Sequence, residues 1–221
     1  MRTVTVVTPW RNCREFIIPW LEAVNGADQI IVVDNNSDEE TQAALKAAVH
    51  QNPLIELHRM PDNSLGYGGA CNYGLERANG DIVVMLNNDV VKSPGPDWLD
   101  VLRNSVEDDH LYGASVNVQF VAGVKLPYID GWCLAATRKT WETLGGFDVK
   151  EFKGFYWEDN DLSFRAQFRH GMKLRVLPIN LQHLGNGTSS KHPEVYKYST
   201  ENRLRFEKRI QQWQIGRGSS K

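Results

Sequence analysis

Four short runs rich in Val and Ile, separated by longer stretches of helical pattern, occupy the first ninety residues of this 221-residue chain. The runs Thr3 to Thr8, Ile30 to Asp34, Leu54 to Arg59 and Asp81 to Leu86 read as strands. Between them Arg14 to Val24, interrupted at Pro19, Glu39 to Gln51, and Gly69 to Ala78 read as helices. Short, continuously apolar strands need cover on both faces, and helices that join successive strands supply it. The βαβαβαβ order therefore predicts a parallel, doubly wound α/β sheet, with ligands in the crevice beyond the strands' carboxyl ends.

Later the pattern loosens. Ala114 to Phe120 and Ile129 to Thr137 read as strands, 159–170 as an acidic helix, Lys173 to Leu177 as a strand, and Glu194 to Trp213 as a last helix. With no linker or repeat, residues 1–215 are expected to form one domain and 216–221 a flexible tail. A formal net charge of -2 gives no general attraction to nucleic acid or anionic membrane, so such a partner needs a local patch. Arg203, Arg205, Lys208 and Arg209 near Trp213 form the one basic cluster. Glu201 and Glu207 interrupt it, which favours a solvated helix face over contact with an anionic lipid-linked glycan, a membrane surface or a nucleic acid.

Cys13, Cys71 and Cys133 are odd in number and widely spaced, which argues against a disulfide framework or a zinc site and points to a reducing cytoplasm. The Val-rich strand follows Met1-Arg2-Thr3 at once, and no apolar run approaches the roughly 20 residues of a membrane span, so neither a signal peptide nor a transmembrane segment is expected. In that setting the sequon Asn186-Gly187-Thr188 carries no glycan.

The strand ends are the places to search for a site. They read Thr8-Pro9-Trp10-Arg11-Asn12, then Asp34-Asn35-Asn36-Ser37-Asp38, then Asn87-Asn88-Asp89. Taken alone, Asp34 suits a simple turn ahead of a ribose hydroxyl or base N–H. The run from Gly66 to Asn72, with Gly68 and Gly69 at its centre, opens a helix, where bare backbone N–H groups can meet a phosphate or merely make a tight turn. It matches neither a dinucleotide fingerprint nor a P-loop. Asp89 at a strand end suits a hard cation, with His183 in a later loop as a second ligand or an ordinary surface residue.

Three carboxylates crowd the run Trp157-Glu158-Asp159-Asn160-Asp161-Leu162. Like charges this close oppose one another's ionisation, so they belong at a helix start, at a cation, or beside a substrate whose proton one of them accepts. Capping needs one acid rather than three. Asp161 and Arg165 are four apart, a favourable helical pair.

The order of these segments, with Gly145-Gly146-Phe147-Asp148 between the asparagine-rich strand end and the acidic run, closely resembles the family 2 inverting glycosyltransferases of GT-A fold, nearest their rhamnosyltransferase-like branch, over residues 3–190. The resemblance implies a nucleotide-diphosphate sugar donor, UDP-, dTDP- or GDP-linked, and a hydroxyl acceptor on a glycan, a lipid-linked glycan or another molecule. It implies a nucleotide pocket made by Thr8, Pro9, Asp34, Asn36, Gly68, Gly69, Asn72, Asn87 and Asn88. It also implies a divalent metal, Mn²⁺ or Mg²⁺, at Asp89 and His183, and Asp159 as general base with Glu158 beside it. Asn87 departs from the family's D-x-D metal pattern, whose first acid it replaces. Trp132 and Trp157 are candidates to stack on sugar rings or to fill core. Two other readings stand beside this one. A non-catalytic carbohydrate- or nucleotide-binding module would share the fold, and a sugar-phosphate nucleotidylyltransferase would need a Gly-rich basic loop that Thr8 to Asn12 lacks.

Overall fold

The computed structural model describes residues 1–185 and 196–218. In chain order the elements are β1 (Val4–Trp10), a 3-10 turn (Arg14–Phe16), α1 (Ile17–Val24), β2 (Gln29–Asp34), α2 (Glu39–Gln51), β3 (Ile55–Arg59), α3 (Gly66–Leu75) and β4 (Ile82–Leu86). They continue with β5 (Val90–Lys92), α4 (Trp98–Ser105), β6 (His110–Gly113), β7 (Val116–Val121), β8 (Val124–Ile129), β9 (Cys133–Thr137) and α5 (Arg138–Leu144). The last are α6 (Glu158–Phe168), β10 (Lys173–Val176), β11 (Leu181–His183) and α7 (Tyr196–Gly218). The sequon at 186–188 and the expected helix start at Glu194 lie outside the described residues.

The central sheet has seven strands in the order β10-β6-β9-β4-β1-β2-β3. All neighbours are parallel except β9, which runs antiparallel to both β4 and β6. This is the mostly parallel α/β sheet the strand pattern predicts. Every residue of β2 and β4 is buried, because alternate side chains serve opposite faces. Val4, Val6, Ile30, Val32, Ile82 and Val84 join Trp20 and Trp98 in the layer with α1 and α4. Val7, Ile31, Val33, Val83 and Met85 pack with Ala70, Trp141 and Leu162 of α3, α5 and α6. Each such side chain removed from water contributes roughly 1.5–3 kcal/mol. After β3 the chain returns to the other side of β1, so the strand order reverses between β1 and β4, where a crevice opens at the carboxyl ends.

Several boundaries differ from expectation, each for a physical reason. Pro19 does not interrupt α1. It is the third residue of that helix, in the first turn, where its missing N–H needs no partner. The expected strand Ala114 to Phe120 does not extend the sheet: the chain leaves it after Gly113 and pairs β7 with β8 as a separate hairpin. Gly113 permits that exit, since a Cβ there would lie 2.2 Å from Ile129 Cγ2. The expected strand Ile129 to Thr137 is the end of β8, a loop at 130–132, and β9. Helix α3 begins at Gly66, so Gly68, Gly69 and Asn72 lie inside the helix rather than in a loop before it. Gly66 has φ 61°, and a Cβ there would sit 2.3 Å from the Gly154 carbonyl oxygen, which leaves glycine as the residue that fits. The last helix continues through Gly218, so 216–218 of the expected tail are helical.

Candidate active site

A cavity of about 610 Å³ opens at the carboxyl ends of β1, β2 and β4. Pro9, Trp10 and Arg11 reach it from β1, Asn35 from the turn after β2, and Asn87, Asn88 and Asp89 from the end of β4. The loop between β8 and β9 adds Asp130, Gly131 and Trp132, and the run before and into α6 adds Trp157, Glu158 and Asp159. The topology thus gathers residues from 9 to 199 around one space.

Six of the residues expected at the nucleotide are not on its wall. Thr8 is fully buried and its hydroxyl accepts from Trp20 Nε1 at 3.1 Å. Asp34 is buried and accepts from the Ser37 N–H at 2.9 Å, the turn role that its strand-end position also allowed. Asn36 is exposed with φ 62°. Gly68 packs on Phe147 and Gly69 on Leu65, where their absent side chains admit these neighbours. Asn72 binds the backbone of Phe147 in both directions, accepting from its N–H and donating to its carbonyl, each at 2.8 Å. In their place the wall carries Asn35, Gly66 and Tyr67, which the sequence reading did not single out. Arg11, at the end of β1, stands on the wall as well, where its strand-end position puts it.

Asp89 and His183 are brought together by pairing of β5 with β11, which sets Val90 opposite His183. His183 Nε2 lies 2.9 Å from Asp89 Oδ1 and 3.2 Å from Asn87 Nδ2. The His183 ring stacks on Trp132, centroids 5.3 Å apart and planes 4° from parallel. Asn87 Oδ1 and Asn88 Nδ2 are buried without a hydrogen-bond partner among the described residues. Among those residues no group of three or more His, Cys, Asp and Glu side chains converges on one point. The donor set of one carboxylate, one imidazole and one neutral amide oxygen fits a divalent cation that takes its remaining ligands from phosphate and water. Among the described residues these groups do not complete an all-protein cage.

The acidic run divides. Tyr156 and Trp157 both have φ 73°, and this left-handed turn ends in α6 without a side-chain cap. Glu158 and Asp159 therefore open the helix on the cavity side. Asp159 Oδ2 accepts from the Gly131 N–H at 3.0 Å and Oδ1 from the Asn160 N–H at 2.8 Å. Burial raises its pKa to about 6, against the lowering effect of those N–H groups. Glu158 is 8% exposed, and its Oε2 has no hydrogen-bond partner among the described residues. Burial first, then the Asp159 charge, push its pKa to about 8. Asp161 points away, fully buried, with Oδ2 2.8 Å from Arg165 Nε and Oδ1 bonded to Arg209.

Trp132 and Trp157 line the cavity, and Trp157 also packs against Phe206 with centroids 5.8 Å apart. The basic cluster of the last helix is largely spoken for. Arg209 is held by Asp161 and by Asp148 at 2.8 Å, and Arg205 donates to the Glu151 carbonyl at 3.1 Å. Arg203 and Lys208 remain exposed.

Comparison with known proteins agrees with this architecture. The family described as Glycosyl transferase family 2 matches residues 5–177. The uncharacterized protein Rv1525 of Mycobacterium tuberculosis is 27% identical over 199 residues, covering 78% of this chain and 70% of the relative. Among solved structures, the mannosyltransferase PcManGT of Pyrobaculum calidifontis, in complex with GDP-Man and Mn²⁺, superposes with TM-score 0.62 at 22% identity. That match covers 81% of this chain and 55% of PcManGT. GalNAc-T7 with UDP, GalNAc and Mn²⁺ gives 0.68 at 14% identity, over 83% of this chain and 43% of the other. TarS of S. aureus gives 0.61 at 15%, over 87% and 38%. At these identities the likeness is one of fold, here the GT-A fold, and the chain spans about half or less of each solved relative.

Proposed function

The chain belongs to glycosyl transferase family 2, and from that premise we propose that it transfers a hexosyl or deoxyhexosyl group from a nucleotide-diphosphate sugar to an acceptor hydroxyl with inversion. The observation that carries this reading is one cavity holding two unlike sets of groups. Asp89 and His183 lie 2.9 Å apart as a cation half-site, and the Glu158-Asp159 pair opens a helix on the same wall system.

Departure of a nucleoside diphosphate from an anomeric carbon develops negative charge on phosphate oxygen, which a bound Mn²⁺ or Mg²⁺ would offset. Asp89, His183 and the Asn87 amide oxygen would hold that ion together with the donor phosphates. Pro9, Arg11, Asn35 and Asn88 are placed to receive the nucleotide. At neutral pH Asp159, with a pKa of about 6, is ionised yet more basic than an ordinary carboxylate. It takes the proton of the attacking hydroxyl in a single in-line displacement. Glu158, with a pKa of about 8, holds its own proton and can donate to a sugar oxygen. Trp132 and Trp157 flank the sugar.

The donor base, within UDP, dTDP and GDP, is chosen by the pocket beside Asn35. Kinship with the rhamnosyltransferase-like branch and a glycan or lipid-linked glycan acceptor are part of the same proposal. Three buried cysteines without a disulfide fit a reducing cytoplasm, and no described helix is long and apolar enough to cross a membrane. The test is transfer and donor binding by Asp159→Asn. Loss of about 10² to 10⁴ in kcat with donor affinity retained is expected for removal of a general base. Transfer at the wild-type rate would remove Asp159 from that role.

A further inference from the structure

We propose that Asn202, on the C-terminal helix, is a positioning residue for Asp159, so that α7 belongs to the catalytic apparatus although it lies beyond the family match at 5–177. The inference rests on Asp159 as the base and concerns how that base is held.

Asn202 is fully buried. Its Nδ2 lies 2.9 Å from the Lys153 carbonyl, 3.2 Å from that of Phe155 and 3.0 Å from that of Tyr156. One amide with two hydrogens thus serves three carbonyls of a single tight loop. That loop is unusual. Gly154 has φ 76°, and Tyr156 and Trp157 each have φ 73°, a region that bulky side chains seldom enter unless their surroundings hold them there. The turn leads directly into Glu158 and Asp159, so its backbone angles set where both carboxylates point.

Other contacts show that the amide is aimed rather than merely buried. Arg205 Nη1 donates to Asn202 Oδ1 at 3.1 Å, which leaves the NH₂ facing the loop. Tyr198 lies against Gly154 so closely that a Cβ there would come within 2.6 Å of the ring. On the far side of the loop the Tyr67 N–H donates to the Gly154 carbonyl at 3.0 Å. Ser199, three residues before Asn202, reaches the cavity wall. The loop is therefore gripped between α3 and α7, and the α7 grip is a hydrogen-bond donor that no apolar side chain can replace.

Asn202→Asp keeps the shape and removes the donors, setting a carboxylate against three carbonyl oxygens. It is compared with wild type, Asn202→Gln and Asp159→Asn in the full chain. Rates are read as nucleotide release from UDP-, dTDP- and GDP-sugars with methyl glycosides as acceptors, and binding with UDP and GDP in Mn²⁺. The expected result for Asn202→Asp is a fall in kcat of about 10²-fold, the cost of displacing a reacting group by about 1 Å, with nucleotide affinity unchanged. The acid limb of the pH–rate profile moves from about 6, and Asn202→Gln recovers part of the rate. A kcat and pH profile like wild type in folded Asn202→Asp would overturn the proposal, even with a lowered Tm. If Asn202→Asp does not fold, Asn202→Ser, with one O–H donor, is read by the same criteria. Wild-type transfer by Asp159→Asn would instead remove the base assignment on which the inference stands.

Discussion

The backbone N–H of Gly131 donates to Asp159 Oδ2 at 3.0 Å, and a Cβ on residue 131 would come within 3.4 Å of that same oxygen. Bare backbone from the β8–β9 loop thus pins one carboxylate of a crowded pair. Its neighbour Glu158 is lifted further, by burial and then by the Asp159 charge, to about 8 against about 6, and its Oε2 has no hydrogen-bond partner among the described residues.

The pH dependence of transfer follows from that difference. As proposed base, Asp159 acts when ionised, so kcat rises about tenfold per pH unit below its pKa of about 6 and levels above it. Steady-state rates from pH 4.5 to 8 measure this. A profile flat across pH 5 to 7 contradicts the role.

Glu158 makes a prediction about stability. Its pKa rises from 4.5 unfolded to about 8 folded, so the native state binds the proton more tightly. The contribution is fully present below about 4.5 and is lost as pH rises through about 8. Glu158→Gln should therefore gain stability over wild type between pH 5 and pH 8, by on the order of a few kcal/mol at about 1.4 kcal/mol per unit. Urea unfolding at both pH values reads the difference, and an equal effect at each would contradict it.

At the cation half-site, Asp89→Ala is expected to abolish the Mn²⁺-dependent rise in Tm that UDP or GDP produces, and His183→Ala to reduce it. Ligand that binds only the folded state raises Tm, and does so more the tighter it binds at a given concentration. A rise that is the same in Asp89→Ala as in wild type would place the cation elsewhere.

Asp161 should behave unlike its neighbours. It is fully buried between Arg165 and Arg209, whose side chains are 8% and 14% exposed. Asp161→Asn leaves two cations short of a counter-charge, at a cost of about 3–5 kcal/mol. Denaturant midpoints would show it, and a loss below about 1 kcal/mol would contradict it. Asp159→Asn, which removes a charge from a place where burial opposes it, carries no such penalty.

Legibility differed between fold and site. Helix Glu39–Gln51 and the burial of β2 and β4 follow from local pattern, since Val and Ile runs and an Asp38 cap act within a few residues. Asp38 accepts from the Thr41 N–H at 2.7 Å, a contact written into adjacent sequence. The pairing of Asp161 with Arg165 was legible for the same reason. Thr8, Gly68, Gly69 and Asn72 carried no local sign of the Trp20, Leu65 and Phe147 contacts that turn them away from the cavity.

The sequence by itself determined a doubly wound α/β chain, the strand ends as the place for ligands, and a segment order that belongs to one family. Those properties depend on periodicity and spacing, which the chain carries locally. Tertiary structure alone decided which carboxylate faces the cavity, that β5 and β11 bring His183 to Asp89, and that a helix near the C-terminus holds the loop before Glu158. Proton affinity, cation geometry and loop strain arise from burial and from partners distant in sequence, and they exist only once the chain has folded.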